Sequence, residues 1–319
     1  MSEREANEET DGEGGSGGVE EDAWEWWVRS ALVLGGVAVI GWLIVFLPTG
    51  DLTLYTQIFG LPALGAMTLP IAVWGMMRTA FNPPVFRISR VVGFGVLLVI
   101  GFFSNVPIFA VRLSNADWES DHSYRLPFDG EWRTLAGGAD VERNYHATTA
   151  AYRWGYDFAP FKEGERYAGE GEELSDYYCF GEPVLAPAPG EVLVRKDGNK
   201  DFPPRDFDQT SVLGNHVVLK VNRGEYLFLA HLKKGSIPVE AGAEVERGAK
   251  LGECGNSGRA VEPHLHVHLQ DRLSFPVARS LPLRFSDYVA DGEPVDRGMP
   301  VGQGEGGEPA GADVRQRTP

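Results

Sequence analysis

Cysteine is nearly absent from this chain: 319 residues hold two, Cys179 and Cys254. Neither is read as a metal ligand. Two thiols can pair in an oxidising outer compartment, but the sequence does not bring their Cα atoms within bridging distance, and two buried free thiols are the expectation. Also missing is any basic stripe. A formal charge of −16 repels phosphate and argues against nucleic acid as a partner. No His-Glu-x-x-His helix is present, so the glutamate base of that metalloprotease class has no counterpart. Apolar residues are scarce at both ends. Residues 1–23 are mostly Glu, Asp and Gly, and 291–319 mix Gly, Pro and scattered charge, so both are expected to be disordered tails that bury too little to offset the entropy of ordering.

Apolar runs occupy the next part of the chain. Stretches from Ser30 to Leu47, Ile58 to Met77 and Val91 to Val111 are each long enough to cross a bilayer core, and residues 24–112 are expected to form three transmembrane helices. Trp24, Trp26 and Trp27 suit an interfacial anchor at the entry to the first. The connection bearing Arg78, Arg87 and Arg90 is then cytoplasmic, because the connection from Pro48 to Gln57 has no Lys or Arg. This multi-pass reading makes the lipid bilayer a partner and places everything after Arg112 outside, every histidine included.

Residues 113–290 read as short strands broken by Gly, Pro and Asn, including Arg153 to Phe158, Glu191 to Lys196, His216 to Val221, Tyr226 to His231 and Leu265 to Asp271. That spacing, without a long helical period, predicts an antiparallel, sandwich-like β domain. In Pro263-His264-Leu265-His266-Val267-His268 the period of two puts three imidazoles on one face and the apolar residues on the other. Imidazole is the commonest protein ligand for zinc, and neighbouring same-face positions can hold two rings near one ion. The alternative is the exposed polar face of an edge strand. The preceding Gly255-Asn256-Ser257-Gly258 forms a turn that sets the register of the histidine strand, with Asn256 and Ser257 also candidates for the cleft wall. The acidic, glycine-rich stretch from Glu163 to Asp176 is a surface loop.

The run from Tyr226 to Gln270 resembles the lysostaphin-like (LytM, duplicated-hybrid-motif) M23 family of zinc metallopeptidases, with its Tyr…His-Leu…Gly-Asn-Ser-Gly…Pro-His-Leu-His series nearly complete. Leu126 to Trp132, Asn144-Tyr145-His146 and Trp154 to Phe158 resemble the entry region of one subgroup. The resemblance implies Zn²⁺ as cofactor, Asp157 and His266 as ligands, and His231 and His264 as the catalytic, non-ligand histidines. The chain departs from the usual pattern at Arg153, four residues before Asp157, where a histidine ligand is expected and guanidinium has no lone pair to offer. His146 is the candidate replacement; otherwise the site has lost a ligand. His268 is placed too far along the strand to ligate and is expected to hydrogen-bond behind the ligands, and His216 is read as structural.

Two imidazoles and a carboxylate leave zinc an open position, the arrangement of catalytic sites, where it lowers the pKa of water and polarises a carbonyl. The expected activity is membrane-anchored, outward-facing peptide-bond hydrolysis, with stem or crosslink peptides of peptidoglycan as the substrate class the resemblance implies, or a surface protein. The competing reading is an inactive M23-like domain that binds cell-wall peptide or regulates another hydrolase.

Overall fold

Helices and strands are described for residues 25–46, 56–82, 86–104, 116–273 and 278–317 of a computed structural model. The acidic leader expected to be disordered lies outside these residues. The apolar runs form three helices, α1 (Trp26–Phe46), α2 (Leu61–Phe81) and α3 (Ile88–Ser104). They pack around Trp27, Val28, Ala31 and Leu97, and a buried Arg90 pairs with Glu25 at 2.6 Å. Val33, Ile40 and Leu43 of α1, Leu69 of α2 and Leu98 of α3 point outward, exposed.

By length and apolarity one of these helices, not three, meets the criterion for a span: Trp26–Ile44. Two prolines, glycines, threonines and Arg78 dilute the apolar run of α2, and the 17 described residues of α3 fall short of the about 20 typical of a span. The stretch expected to extend α3, residues 105–111, lies outside the described residues.

The remainder is the antiparallel β domain the sequence predicts. Its main sheet contains β1 (Glu131–Ala136), β2 (Tyr156–Ala159), β4 (Gly190–Lys196), β5 (Asn215–Asn222), β6 (Glu225–Leu232), β7 (Glu244–Val245), β9 (Leu265–Gln270), β11 (Phe285–Ala290), β12 (Glu293–Gly298) and β13 (Asp313–Gln316). The spatial order is β12-β11-β13-β1-β2-β9-β6-β5-β4-β7, with the short β10 (Ser280–Leu281) paired to β9. A second, two-stranded sheet pairs β3 (Pro183–Leu185) with β8 (Lys250–Glu253). Alternation fills the core: Tyr156 and Phe158 of β2, Leu227 and Leu229 of β6, and Leu265, Val267 and Leu269 of β9 join Val184 and Leu251 of the small sheet. Each such side chain, fully buried, contributes about 1.5–3 kcal/mol.

Three expectations are corrected. The strand predicted from Arg153 starts later, at Tyr156, because Ala150–Tyr152 close a 3₁₀ turn. The glycine- and proline-rich stretch after 290 is not a tail: β12 pairs with β11, and β13 lies between β11 and β1, with Arg133 and Asp313 locked at 2.7 Å. Its composition misleads because β12 is an exposed, polar edge strand whose order comes from backbone pairing rather than burial. Cys179 and Cys254 form a disulfide, with Cα atoms 5.7 Å apart. Both are buried in the core, and the strand that ends beside Cys254, β8, is held against β3 by a pairing of distant segments that sequence spacing cannot reveal.

Candidate metal centre

The same alternation that builds the core builds the site. With Tyr156 and Phe158 turned inward, Asp157 faces the opposite side of β2; with Leu265 and Val267 inward, His266 does the same on β9. Register sets Asp157 directly across from His266, and His266 across from Ala230 of β6. His146 arrives from outside the sheet, on a 3₁₀ turn, Tyr145–Thr148, capped by Asn144, whose side chain accepts from the His146 N–H. The Asn144 amide donates to the carbonyls of Gly138, Arg153 and Gly155, clamping the turn to the start of β2. Gly155 is required here. A Cβ would lie 2.9 Å from the Tyr152 carbonyl oxygen, 3.2 Å from His266 and 3.4 Å from His146. Arg153 is turned away, donating to the Ala147 carbonyl and lying over the Trp154 ring.

His146, Asp157 and His266 thus converge, each offering one ligand atom, with those atoms within 4.8 Å of one another. Nε2 of His146 is 3.0 Å from Oδ2 of Asp157, yet it is buried without a hydrogen-bond partner. Nδ1 of His266 is 2.8 Å from Oδ1.

Behind His266 a chain of hydrogen bonds sets its tautomer. The Gln270 amide nitrogen donates to the carbonyls of Arg272 (2.7 Å) and Leu273 (3.4 Å), so its oxygen faces Nε2 of His268 at 3.3 Å and calls for an N–H there. Nδ1 of His268 is then an acceptor and takes the Nε2–H of His266 at 2.9 Å. Burial depresses the His268 pKa well below the ordinary imidazole value, keeping the ring neutral and able to accept. His266 is therefore left with a bare Nδ1 aimed at a carboxylate oxygen, and burial lowers its pKa to about 4, so no second proton bridges them at neutral pH. Burial works to raise the Asp157 pKa, but the neighbouring imidazoles of His146 and His264 outweigh it and hold the carboxyl well below its usual range. Acceptor atoms facing one another in a buried site are satisfied by a cation, and two imidazoles with a carboxylate are a donor set that suits Zn²⁺.

His231 and His264 lie beside this cluster, their ring centroids 4.8 Å apart. Nδ1 of His231 donates to the Ser257 carbonyl (2.9 Å) and Nδ1 of His264 to the Glu262 carbonyl (2.8 Å), so that in the neutral ring Nε2 of each is the acceptor. His264 immediately precedes β9 rather than lying within it, and its Nε2 is 3.6 Å from Oδ2 of Asp157. Burial, reinforced by His264 and His266, depresses His231 well below the ordinary imidazole pKa. His231 adopts φ 62°, in the left-handed region that few non-glycine residues occupy. Its N–H bonds to the Leu213 carbonyl, and Gly214 next to it (φ +59) has room for no Cβ, which would lie 2.3 Å from the Ser257 carbonyl carbon. Ser257 is buried and acts through its carbonyl, while the Asn256 amide holds the Phe202 carbonyl. His216 bonds the Gly214 carbonyl.

Sequence reasoning missed three neighbours. The Tyr145 hydroxyl donates to Oδ2 of Asp157 although its ring is largely exposed, and desolvation of the hydroxyl with the Asp157 charge raises its pKa above the ordinary phenol value. The Tyr152 ring stands edge-on to His146 and His266, at 5.4 and 5.7 Å. Gln270 orients His268. Only Gln270 carried a signal, the two-residue period running on from His266 and His268. The site opens into a cleft of about 530 Å³, walled by Val212, Leu213, Val261, Arg166 and Arg259 among others.

Residues 175–276 match the model of peptidase family M23. That match includes His231, His264 and His266 but begins after His146 and Asp157. The chain is 26% identical over 183 residues to the peptidoglycan DD-endopeptidase ShyA of Vibrio cholerae, over 54% of this chain and 35% of that protein. It is 32% identical over 104 residues to an uncharacterized metalloprotease of Haemophilus influenzae, over 32% of this chain and 19% of that one. It thus spans about a third or less of the length of these relatives. Among solved structures, a mutant catalytic domain of the prophage-encoded M23 protein EnpA from Enterococcus faecalis is similar at 19% identity, over 50% of this chain and 93% of that one, with a TM-score of 0.34.

Proposed function

We propose that the protein is a membrane-anchored zinc endopeptidase, facing outward, that hydrolyses peptide bonds in cell-wall crosslinks. The observation that carries this reading is the convergence of Nε2 of His146, Nδ1 of His266 and the Asp157 carboxylate, with the His146 Nε2 buried and without a hydrogen-bond partner. Those three residues would hold the zinc, which supplies Lewis acidity to the scissile carbonyl and a lowered pKa to water. His231 and His264 present acceptor Nε2 atoms to the cleft. One accepts the proton of the attacking water, and the imidazolium so formed returns it to the leaving amine nitrogen. The other donates, once protonated, to the oxygen on which charge develops. Tyr145 holds Oδ2 of Asp157 so that the carboxylate cannot rotate out of the site.

Helix α1 supplies the membrane anchor, with α2 and α3 beside it and their exposed apolar faces in lipid. A disulfide suits an oxidising compartment and favours the outer side for the β domain. Crosslinked stem peptides are the substrate suggested by the DD-endopeptidase among the relatives.

The test is the zinc content of the detergent-solubilised chain, together with hydrolysis of a crosslinked stem peptide. One zinc per chain, lost in both His146→Ala and Asp157→Ala along with hydrolysis, is expected. A folded, zinc-supplemented wild type that binds none sinks the proposal.

A further inference from the structure

A census of charge in the cleft leaves one group over. Asp157 is faced by His146, His264 and His266. Glu262 is held by Arg166 and by the Tyr177 hydroxyl at 3.2 Å. Arg259 also lines the cleft, but its exposed guanidinium makes no ion pair among the described residues; its partner is the Phe207 ring, 5.7 Å away. Of the two arginines that line the cleft, Arg166 is thus paired with a carboxylate and Arg259 is not.

The backbone around Arg259 is fixed. Its N–H bonds the Val212 carbonyl, and it follows directly on the turn whose Ser257 carbonyl orients His231. The backbone from which the guanidinium extends is therefore tethered to the histidine wall of a cleft that Val212 and Val261 also line. A planar, permanently charged fork beside an apolar shelf recognises a carboxylate carried on a short apolar backbone.

We propose that Arg259 is a specificity-determining residue that binds a free carboxylate of the substrate near the scissile bond, so that the preferred substrates are anionic peptides. This deepens the peptidase reading and rests on it. Arg166, held by Glu262, shapes the rim without competing for that group.

The experiment uses the full chain in detergent and two crosslinked stem peptides that differ at one position: the carboxylate beside the scissile amide is free in one and amidated in the other. Hydrolysis is measured on the zinc-loaded chain, and binding on the zinc-free chain by calorimetry at low salt. The wild type is expected to prefer the free acid about tenfold in both kcat/KM and affinity, as for one charge-assisted contact at a partly solvated site. Arg259→Gln should bring the two peptides level, and Arg259→Lys should keep part of the preference. A preference in binding that Arg259→Gln abolishes, with neither peptide cleaved, supports the assignment while sinking the peptidase reading. Equal cleavage of both by the wild type, or a preference that survives Arg259→Gln, overturns the assignment and leaves the peptidase reading standing. Failure to bind or cleave either peptide overturns both.

Discussion

Replacing His268 with leucine should weaken zinc binding although His268 is not proposed to touch the metal. In the wild type, Nδ1 of His268 takes the Nε2–H of His266 at 2.9 Å and so keeps Nδ1 of His266 bare. Leucine fills similar volume but offers no acceptor. The buried Nε2–H would then lose its partner at a cost of about 1–3 kcal/mol. The ring avoids that cost in the metal-free state by moving its proton to Nδ1, where Oδ1 of Asp157 accepts it at 2.8 Å. Zinc must then displace a proton already bonded to its own carboxylate ligand, and the affinity should fall roughly 10- to 100-fold, the usual range for losing an outer hydrogen-bond partner. Competition against a chromophoric chelator gives the zinc affinity. Long-range 15N–1H spectra of the metal-free protein give the tautomer, expected at Nε2–H in the wild type and Nδ1–H in His268→Leu. His268→Asp restores an acceptor and should recover affinity to within a fewfold. A folded His268→Leu variant that keeps the Nε2–H tautomer and binds zinc like the wild type refutes the reasoning.

Three further outcomes follow from the same geometry. The metal-free protein should lose stability on acidification: His231, His266 and His268 have folded pKa values below that of free imidazole, so the unfolded chain binds more protons below about pH 6.5 and each contributes a slope of up to about 1.4 kcal/mol per pH unit. Asp157, also depressed, adds a loss in the same direction below about pH 4; urea midpoints unchanged or higher at pH 5.5 than at 7.5 would contradict this. Gly155→Ala should destabilise the domain by about 1–3 kcal/mol and lower zinc occupancy, since its Cβ would press on the Tyr152 carbonyl and both ligand rings; calorimetry and metal analysis check it. Removing the Cys179–Cys254 bridge, which closes a separation of 75 residues, by a double serine substitution should cost about 4 kcal/mol in denaturant titrations.

The period of two around His266 makes half the site legible, because the alternation that buries Leu265, Val267 and Leu269 also fixes which face the imidazoles take. His146 is different. Its reach to Asp157 depends on a capped 3₁₀ turn and on the space left by Gly155, and no periodicity encodes either; only the likeness of Asn144-Tyr145-His146 to a family pattern pointed there. Tyr145 and Tyr152 were invisible for the same reason. At the membrane end, apolarity located the three helices but overstated how many meet the length and hydropathy of a span. Composition failed outright after residue 290, since Glu293–Gly298 is an edge strand held by ladder hydrogen bonds and Asp313–Gln316 is held by the same pairing with the single buried side chain of Val314.

The position of β13 bears on when this domain can come into being. It is the strand that joins β1 to β11, and Arg133 finds Asp313 across 180 positions of sequence. During synthesis at about 5–20 residues per second, a nascent chain that already carries His146, Asp157 and His266 still lacks the strand that covers the outer edge of β1, and β1 is what holds β2 and its aspartate from that side. Closure of such distant pairings is slow. The domain's maturation is thus timed by its final strand, and a product truncated before residue 313 keeps every proposed zinc-binding and catalytic residue while leaving the Asp157 strand braced on an open edge.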